Sequence, residues 1–158
     1  MSPIPPRRRP VPDFDPRPVP PGTYPLWEEA LAVVNRDLAV TLPEQGELRL
    51  MALPRPEEDE PDQVYVAVAD GTWHGNPLNH DFDHDFDRDD PVDALAAVVD
   101  AAQESVVERL WQAWPVCEEH GLGMHPQDVD DRMVWWCSGG RPEGRAHLRG
   151  AVGELGGA

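Results

Sequence analysis

Both cysteines of this chain, and three of its six histidines, lie within residues 114–155. Cys117 and His120 stand three residues apart and are followed by Gly121. A thiolate and an imidazole at this spacing can bind one metal ion from a tight turn. A glycine after the second ligand permits the positive φ with which the chain turns away. The sequence therefore predicts a metal-binding knuckle at these residues.

A second cysteine is predicted to reach the same ion from a strand. The apolar run Met133–Trp136 leads directly into Cys137. The fourth ligand is expected to be His147, which follows Cys137 after nine residues, with His125 as its substitute. Four protein side chains complete the tetrahedral shell of zinc and leave no open position for a reacting group. We therefore predict a structural zinc site.

Two other interpretations of Cys117 and Cys137 stay open at this stage. Either the two residues are buried free thiols that pack as small apolar side chains, or they form a disulfide. A zinc ribbon usually repeats its short ligand spacing in its second half, and the nine residues before His147 depart from that pattern.

The charge of the chain restricts its partners. The formal net charge is −17, from 13 basic and 30 acidic residues. Duplex nucleic acid and anionic membranes would repel such a chain, so we expect neither as a partner. A basic protein is compatible with this charge, and we expect a protein partner.

The hydropathy pattern and the cysteine content indicate a compartment. No apolar run approaches the 18 residues of a membrane-spanning helix, and no apolar core follows the N-terminal arginines as it would in a signal peptide. Two cysteines in such a chain favour thiols or a metal over a disulfide framework. We therefore expect a cytoplasmic protein.

The first 25 residues differ in composition from the rest. They contain ten prolines and four arginines, and Phe14 and Tyr24 are their only aromatic residues. Such a segment has too little apolar surface to offset the entropy of ordering it. The predicted organisation is a disordered Pro/Arg-rich tail over 1–25 and a single domain over 26–158.

Hydrophobic periodicity predicts the elements of that domain. A helix is expected over Leu26–Leu38, with Thr23 as its cap and a buried stripe of Trp27, Leu31, Val34 and Leu38. A longer helix is expected over Pro91–Trp114, with Asp90 as its cap and a buried stripe that Trp111 and Trp114 widen near its end. The predicted strands are Glu47–Leu53, Val64–Ala69, a short one from Thr72 to His74, and Ala151–Leu155. The fold class is therefore α+β, with an N-terminal helix, a small antiparallel sheet, one long helix and a zinc-ribbon-like C-terminal segment over 114–155.

An acidic loop over 79–90 suggests two further functions. It contains the direct repeat His-Asp-Phe-Asp at His80 and His84, with aspartate at alternate positions. With His74, these residues could hold a hard cation for a metal-dependent hydrolase. Alternatively, the acidic chain could mimic nucleic acid and bind a basic protein.

From residue 64 onward the chain resembles a family of uncharacterised actinobacterial proteins. The shared pattern is W-P-x-C-x-x-H-G, then L/M-H-P, V-W-x-C, a histidine and a closing I/V-G-x-L. Here these motifs are Trp114–Gly121, Met124–Pro126, Val134–Cys137, His147 and Val152–Leu155. The resemblance implies a shared scaffold and no particular reaction.

These observations together favour a non-enzymatic binding or adaptor protein with a structural zinc site. The chain contains no Gly-rich phosphate loop, no G-x-S-x-G elbow and no H-E-x-x-H pair.

Overall fold

The structure is a computed structural model that describes residues 15–54, 62–79, 90–139 and 146–155. Its two helices and two three-stranded antiparallel sheets confirm the α+β class. The described elements, in chain order, are β1 (Arg17–Pro18), α1 (Pro25–Thr41), a 3₁₀ turn (Pro43–Gln45), β2 (Arg49–Leu53), β3 (Gln63–Ala67), α2 (Pro91–Leu110), β4 (His125–Val129), β5 (Arg132–Cys137) and β6 (His147–Ala151).

The N-terminal sheet has the order β1-β2-β3. Its centre is apolar on both faces, because three successive residues of β2 and four of β3 are buried. On the outer face, the ring of Tyr65 stacks on Trp73 at 4.7 Å between ring centroids. Trp73 does not belong to a third strand as predicted, since it forms only an isolated bridge with Ala67.

The end of the predicted tail is ordered. Arg17 and Pro18 pair with β2, and the Val19 amide donates to the Leu50 carbonyl at 3.1 Å. Proline is acceptable here because β1 is an edge strand and need not donate on its outer side. Residues 1–14 of the predicted tail lie outside the described residues.

Helix α1 buries the predicted stripe of Trp27, Leu31, Val34 and Leu38. The predicted cap is wrong: Tyr24 is the N-cap, and the Thr23 hydroxyl donates to the Pro20 carbonyl instead.

Helix α2 ends four residues earlier than predicted. Asp90 caps its start as expected, accepting from the Val92 amide, but the helix stops at Leu110. Trp111 takes a left-handed conformation, with φ 56° and ψ 34°, and reverses the chain. The reversal turns Trp114 inward, where it is buried and donates from Nε1 to the Thr41 hydroxyl at 2.8 Å. Trp111 itself is 89% exposed, so it does not extend the buried stripe as predicted.

The C-terminal sheet has the order β4-β5-β6. Strand β4 was not predicted, because Pro126 and its polar neighbours conceal an edge strand. Asp130 and Asp131 join β4 to β5 and have φ of 51° and 63°, as a type I′ hairpin turn requires. The last strand was predicted too late in the chain, since residues 153–155 turn onto α1 rather than pairing.

One continuous apolar core joins the two sheets through the helices. Helix α2 contacts α1, β3, β4 and β5. Its buried face includes Ala94, Val98, Val99, Ala102 and Val106. The C-terminal segment is therefore packed on the long helix.

Candidate metal centre

The predicted knuckle is a tight reversal that brings Cys117 and His120 to one side. The Cys117 amide donates to the Leu122 carbonyl at 2.8 Å, and the Gly121 amide donates to the Cys117 carbonyl at 2.7 Å. Gly121 has φ 67°, which confirms the role predicted for this glycine. The backbone alone thus positions the first two side chains, and their placement depends on local sequence.

The other two side chains are delivered by neighbouring strands. Cys137 is the last residue of β5 and is paired directly with His147, the first residue of β6. Directly paired residues point to the same face of a sheet, so the nine intervening residues do not separate the two side chains. A one-residue irregularity in β6, beside Trp135 and Trp136, sets this register. If the pairing continued without this shift, Leu148 would stand opposite Cys137.

Strand register also excludes His125, the predicted substitute. His125 begins β4 and is paired with Trp136, the neighbour of Cys137. Successive residues of a strand face opposite sides of the sheet, so His125 and Cys137 face opposite ways. The His125 side chain is exposed and lies outside the cluster.

The structure brings together the four side chains that were predicted from the sequence as metal ligands. One ligand atom from each of Cys117, His120, Cys137 and His147 lies within 4.8 Å of all the others. The Cys117 sulfur is 3.6 Å from His120 Nδ1 and 3.4 Å from His147 Nε2. The Cys137 sulfur is 3.5 Å from His120 Nδ1.

These separations fit a tetrahedral ion. Zinc bonds of about 2.3 Å to sulfur and about 2.0–2.1 Å to nitrogen, at a tetrahedral angle, place sulfur and nitrogen about 3.6 Å apart. The three measured sulfur–nitrogen distances lie between 3.4 and 3.6 Å. The four side chains can thus hold one metal ion, with a two-sulfur, two-nitrogen donor set of the kind found in zinc and iron–sulfur sites.

Backbone amides around the sulfurs favour bound thiolates. The Gly139 amide donates to the Cys137 sulfur at 3.4 Å, and the amides of Glu119 and His120 point toward the Cys117 sulfur. Burial opposes ionisation of Cys117, but those amides and the side chains of His120 and His147 lower its pKa to about 6. Burial raises the pKa of Cys137, as does its proximity to Cys117. The thiol of Cys117 therefore ionises before that of Cys137.

The two other interpretations of the cysteines predict different surroundings for the sulfurs. Buried free thiols would pack against apolar neighbours, and a disulfide would join the two sulfurs covalently. Both cysteines are free and fully buried, and each sulfur faces a histidine nitrogen rather than apolar neighbours alone.

The hydrolase hypothesis rests on His80, His84 and the alternating aspartates of the same acidic loop, and these residues lie outside the described residues. His74, the remaining member of that set, is not part of the cluster.

A buried carboxylate that the sequence analysis did not identify holds β5 in place. Asp37, on α1, is fully buried and accepts from Trp135 Nε1 at 2.7 Å. It also accepts from the amides of Gly153 at 2.6 Å and Leu155 at 2.9 Å. Trp135 lies two residues before Cys137 on the same face of β5. Asp37 therefore positions the strand that carries the third ligand. Its signal in the sequence was an acidic residue three positions after Val34, within the apolar stripe of a helix.

Comparisons with known proteins assign the chain to no family. No protein-family model, no curated protein and no solved structure matches the chain. Neither α1 nor α2, the helices of the described residues, is both long enough and apolar enough to cross a membrane.

Proposed function

We propose that this protein is a non-enzymatic binding domain whose C-terminal sheet is held together by one structural zinc ion. The ligands are Cys117, His120, Cys137 and His147. One observation carries the proposal: all four donors come from the protein and lie within 4.8 Å of one another, and three sulfur–nitrogen distances between them match a tetrahedral shell. A complete shell of protein ligands leaves no position for water or substrate.

The zinc would supply folding stability rather than chemistry. Strand β6 contains no buried residue, so apolar packing alone holds it weakly. When bound, the ion links the knuckle, β5 and β6, and its binding free energy becomes folding free energy. A cytoplasmic location and a basic protein partner, both suggested by composition, belong to this proposal. So does the actinobacterial family resemblance.

Elemental analysis of the full chain, purified without a metal-affinity tag, tests the proposal directly. We expect one zinc per chain. Replacement by cobalt(II) should give the intense visible absorption of a tetrahedral site together with thiolate-to-metal charge transfer. An octahedral cobalt spectrum, or protein that folds equally well with no metal, would refute the closed zinc site.

A matched pair of histidine variants identifies the fourth ligand. His147→Ala should weaken zinc binding strongly. His125→Ala, on β4 at the opposite edge of the same sheet, should leave both zinc content and melting temperature unchanged. Competition with a chromophoric chelator measures the two affinities. Equal zinc affinity in both variants would show that β6 contributes no ligand.

A further inference from the structure

A groove of about 920 Å³ runs beside the C-terminal half of α2. One wall is formed by α2, and the opposite side is formed by His74, Gly75 and the segment that leads from α2 to β4. The groove shares none of the four proposed zinc ligands, so it is a separate surface.

The helix wall of this groove carries three carboxylates in a row. Asp100, Glu104 and Glu108 recur every four residues and therefore lie along one face of α2. Among the described residues that line the groove there is no arginine, and the chain contains no lysine. Arg109, the nearest basic residue in sequence, pairs instead with Asp70 at 3.2 Å, on another face of the helix.

The middle carboxylate is held in position. Glu104 packs so closely on Gly75 that any side chain at residue 75 would overlap its carboxylate, and Glu104 also accepts from the Asn76 amide. Partial burial raises the pKa of Glu104, and the negative charges of Asp100 and Glu108 raise it further. The three carboxylates therefore give this face of the groove a negative potential.

An exposed indole stands at the end of the row. Trp111 follows Glu108 by three residues, lines the same groove and is 89% exposed. Exposed tryptophan beside carboxylates is a common environment for a guanidinium, which can stack on the ring while it binds a carboxylate. Tryptophan and arginine are also the residues that most often dominate protein interfaces.

We propose that this groove binds an extended peptide segment of a partner protein that carries arginine at alternate positions. The inference rests on the proposed function, because it supplies the partner of that binding domain. Four residues of helix advance about 6 Å, and two residues of extended chain advance about 6.6 Å. The carboxylate spacing thus matches side chains on one face of an extended segment. The whole row, from Asp100 to Trp111, covers about 16 Å, or five extended residues.

Fluorescence anisotropy with dye-labelled heptapeptides tests the proposal on the full chain. The first peptide alternates three arginines with serine. A second has the same composition with the three arginines consecutive, and a third replaces arginine with its neutral analogue citrulline. We expect the alternating peptide to bind most tightly, the citrulline peptide not to bind, and added salt to weaken binding. Equal binding of the arginine and citrulline peptides would overturn the proposal, and preference for consecutive arginines would overturn its register.

Paired variants locate the binding to the groove. Asp100→Asn combined with Glu108→Gln should weaken the alternating peptide roughly five- to tenfold, because two exposed ion pairs are lost. Trp111→Ala should weaken it about two- to fivefold. The control is Glu44→Gln combined with Glu47→Gln, two exposed sites outside the groove with the same change in net charge. If the control weakens binding as much as the groove variant does, the attraction is nonspecific and the proposal fails.

Zinc content, measured on the same preparations, separates this proposal from the previous one. Loss of peptide binding with one zinc per chain would refute the groove alone. Peptide binding by a folded chain that holds no zinc would refute the zinc site alone.

Discussion

The two sheets of this protein are stabilised in different ways. In the N-terminal sheet, β2 and β3 are almost wholly buried, so apolar packing on both faces holds them. In the C-terminal sheet, only alternate residues of β5 are buried, and β4 and β6 contain no fully buried residue. A sheet with so little apolar area depends on specific polar and ionic links, and its stability is concentrated in a few side chains.

Two buried polar side chains show the same contrast. Asp37 and Ser105 are the fully buried polar residues of the described chain, and each connects a helix to one sheet. Ser105 accepts from the His74 amide at 3.1 Å and donates to the Val66 carbonyl at 2.7 Å, at a sheet already held by its core. Asp37 accepts one hydrogen bond from the less buried sheet and two from the segment that follows its last strand. We therefore expect Ser105 to add little to the stability of the N-terminal sheet and Asp37 to add much to that of the C-terminal sheet.

Removing a zinc ligand should have the largest effect and should separate the two sheets. Cys137→Ser is expected to abolish stoichiometric zinc and to destabilise the C-terminal sheet by several kcal/mol, because metal binding is coupled to folding. Hydrogen exchange read by mass spectrometry should show lost protection over residues 125–151 and retained protection over 49–67. Uniform protection equal to that of the parent would mean that the sheet does not need the ion.

Asp37→Ala should rank second. It leaves the Trp135 indole and two backbone amides without their acceptor, at an expected cost of about 3–5 kcal/mol. Urea unfolding measures the loss, and Asp100→Ala, an exposed site on α2, is the control that should change stability by less than about 0.5 kcal/mol. A small effect of Asp37→Ala would indicate that water replaces the carboxylate and that β5 is positioned by the metal alone.

Ser105→Ala should cost less than Asp37→Ala, about 1–2 kcal/mol, since it removes one hydroxyl from a sheet that packing already holds. Urea unfolding again provides the measurement, and zinc affinity should not change. If Ser105→Ala proves as damaging as Asp37→Ala, the proposed difference between the two sheets is wrong.

Shortening the N-terminus should have the smallest effect and sharpens the boundary of the first sheet. A chain that begins at Asp15 should melt within a degree or two of the full chain. A chain that begins at Tyr24 loses β1 and should melt a few degrees lower, in line with about 1 kcal/mol for an edge strand of two residues. Identical melting of all three chains would show that β1 contributes nothing to stability.

Much of the fold follows from local pattern. The buried stripe of α1, the Asp90 cap of α2 and the apolar strand that leads into Cys137 could each be predicted, because each depends on residues within a few positions of one another. The errors occur where distant contacts prevail. The end of α2 was misplaced because Trp114 turns inward to reach Thr41, a partner 73 residues away. Strand β4 was missed because an edge strand needs little apolar sequence of its own.

The same distinction between local pattern and distant contacts applies to the candidate metal centre. The sequence by itself determined the knuckle, because Cys117, His120 and Gly121 form one turn whose geometry is local. It also identified Cys137 as the residue to which an apolar strand leads. Only the tertiary structure decided between His147 and His125, because that choice depends on which residue of a neighbouring strand stands opposite Cys137. A shift of one residue in register reverses the face of every side chain, and no local pattern in the sequence specifies that shift.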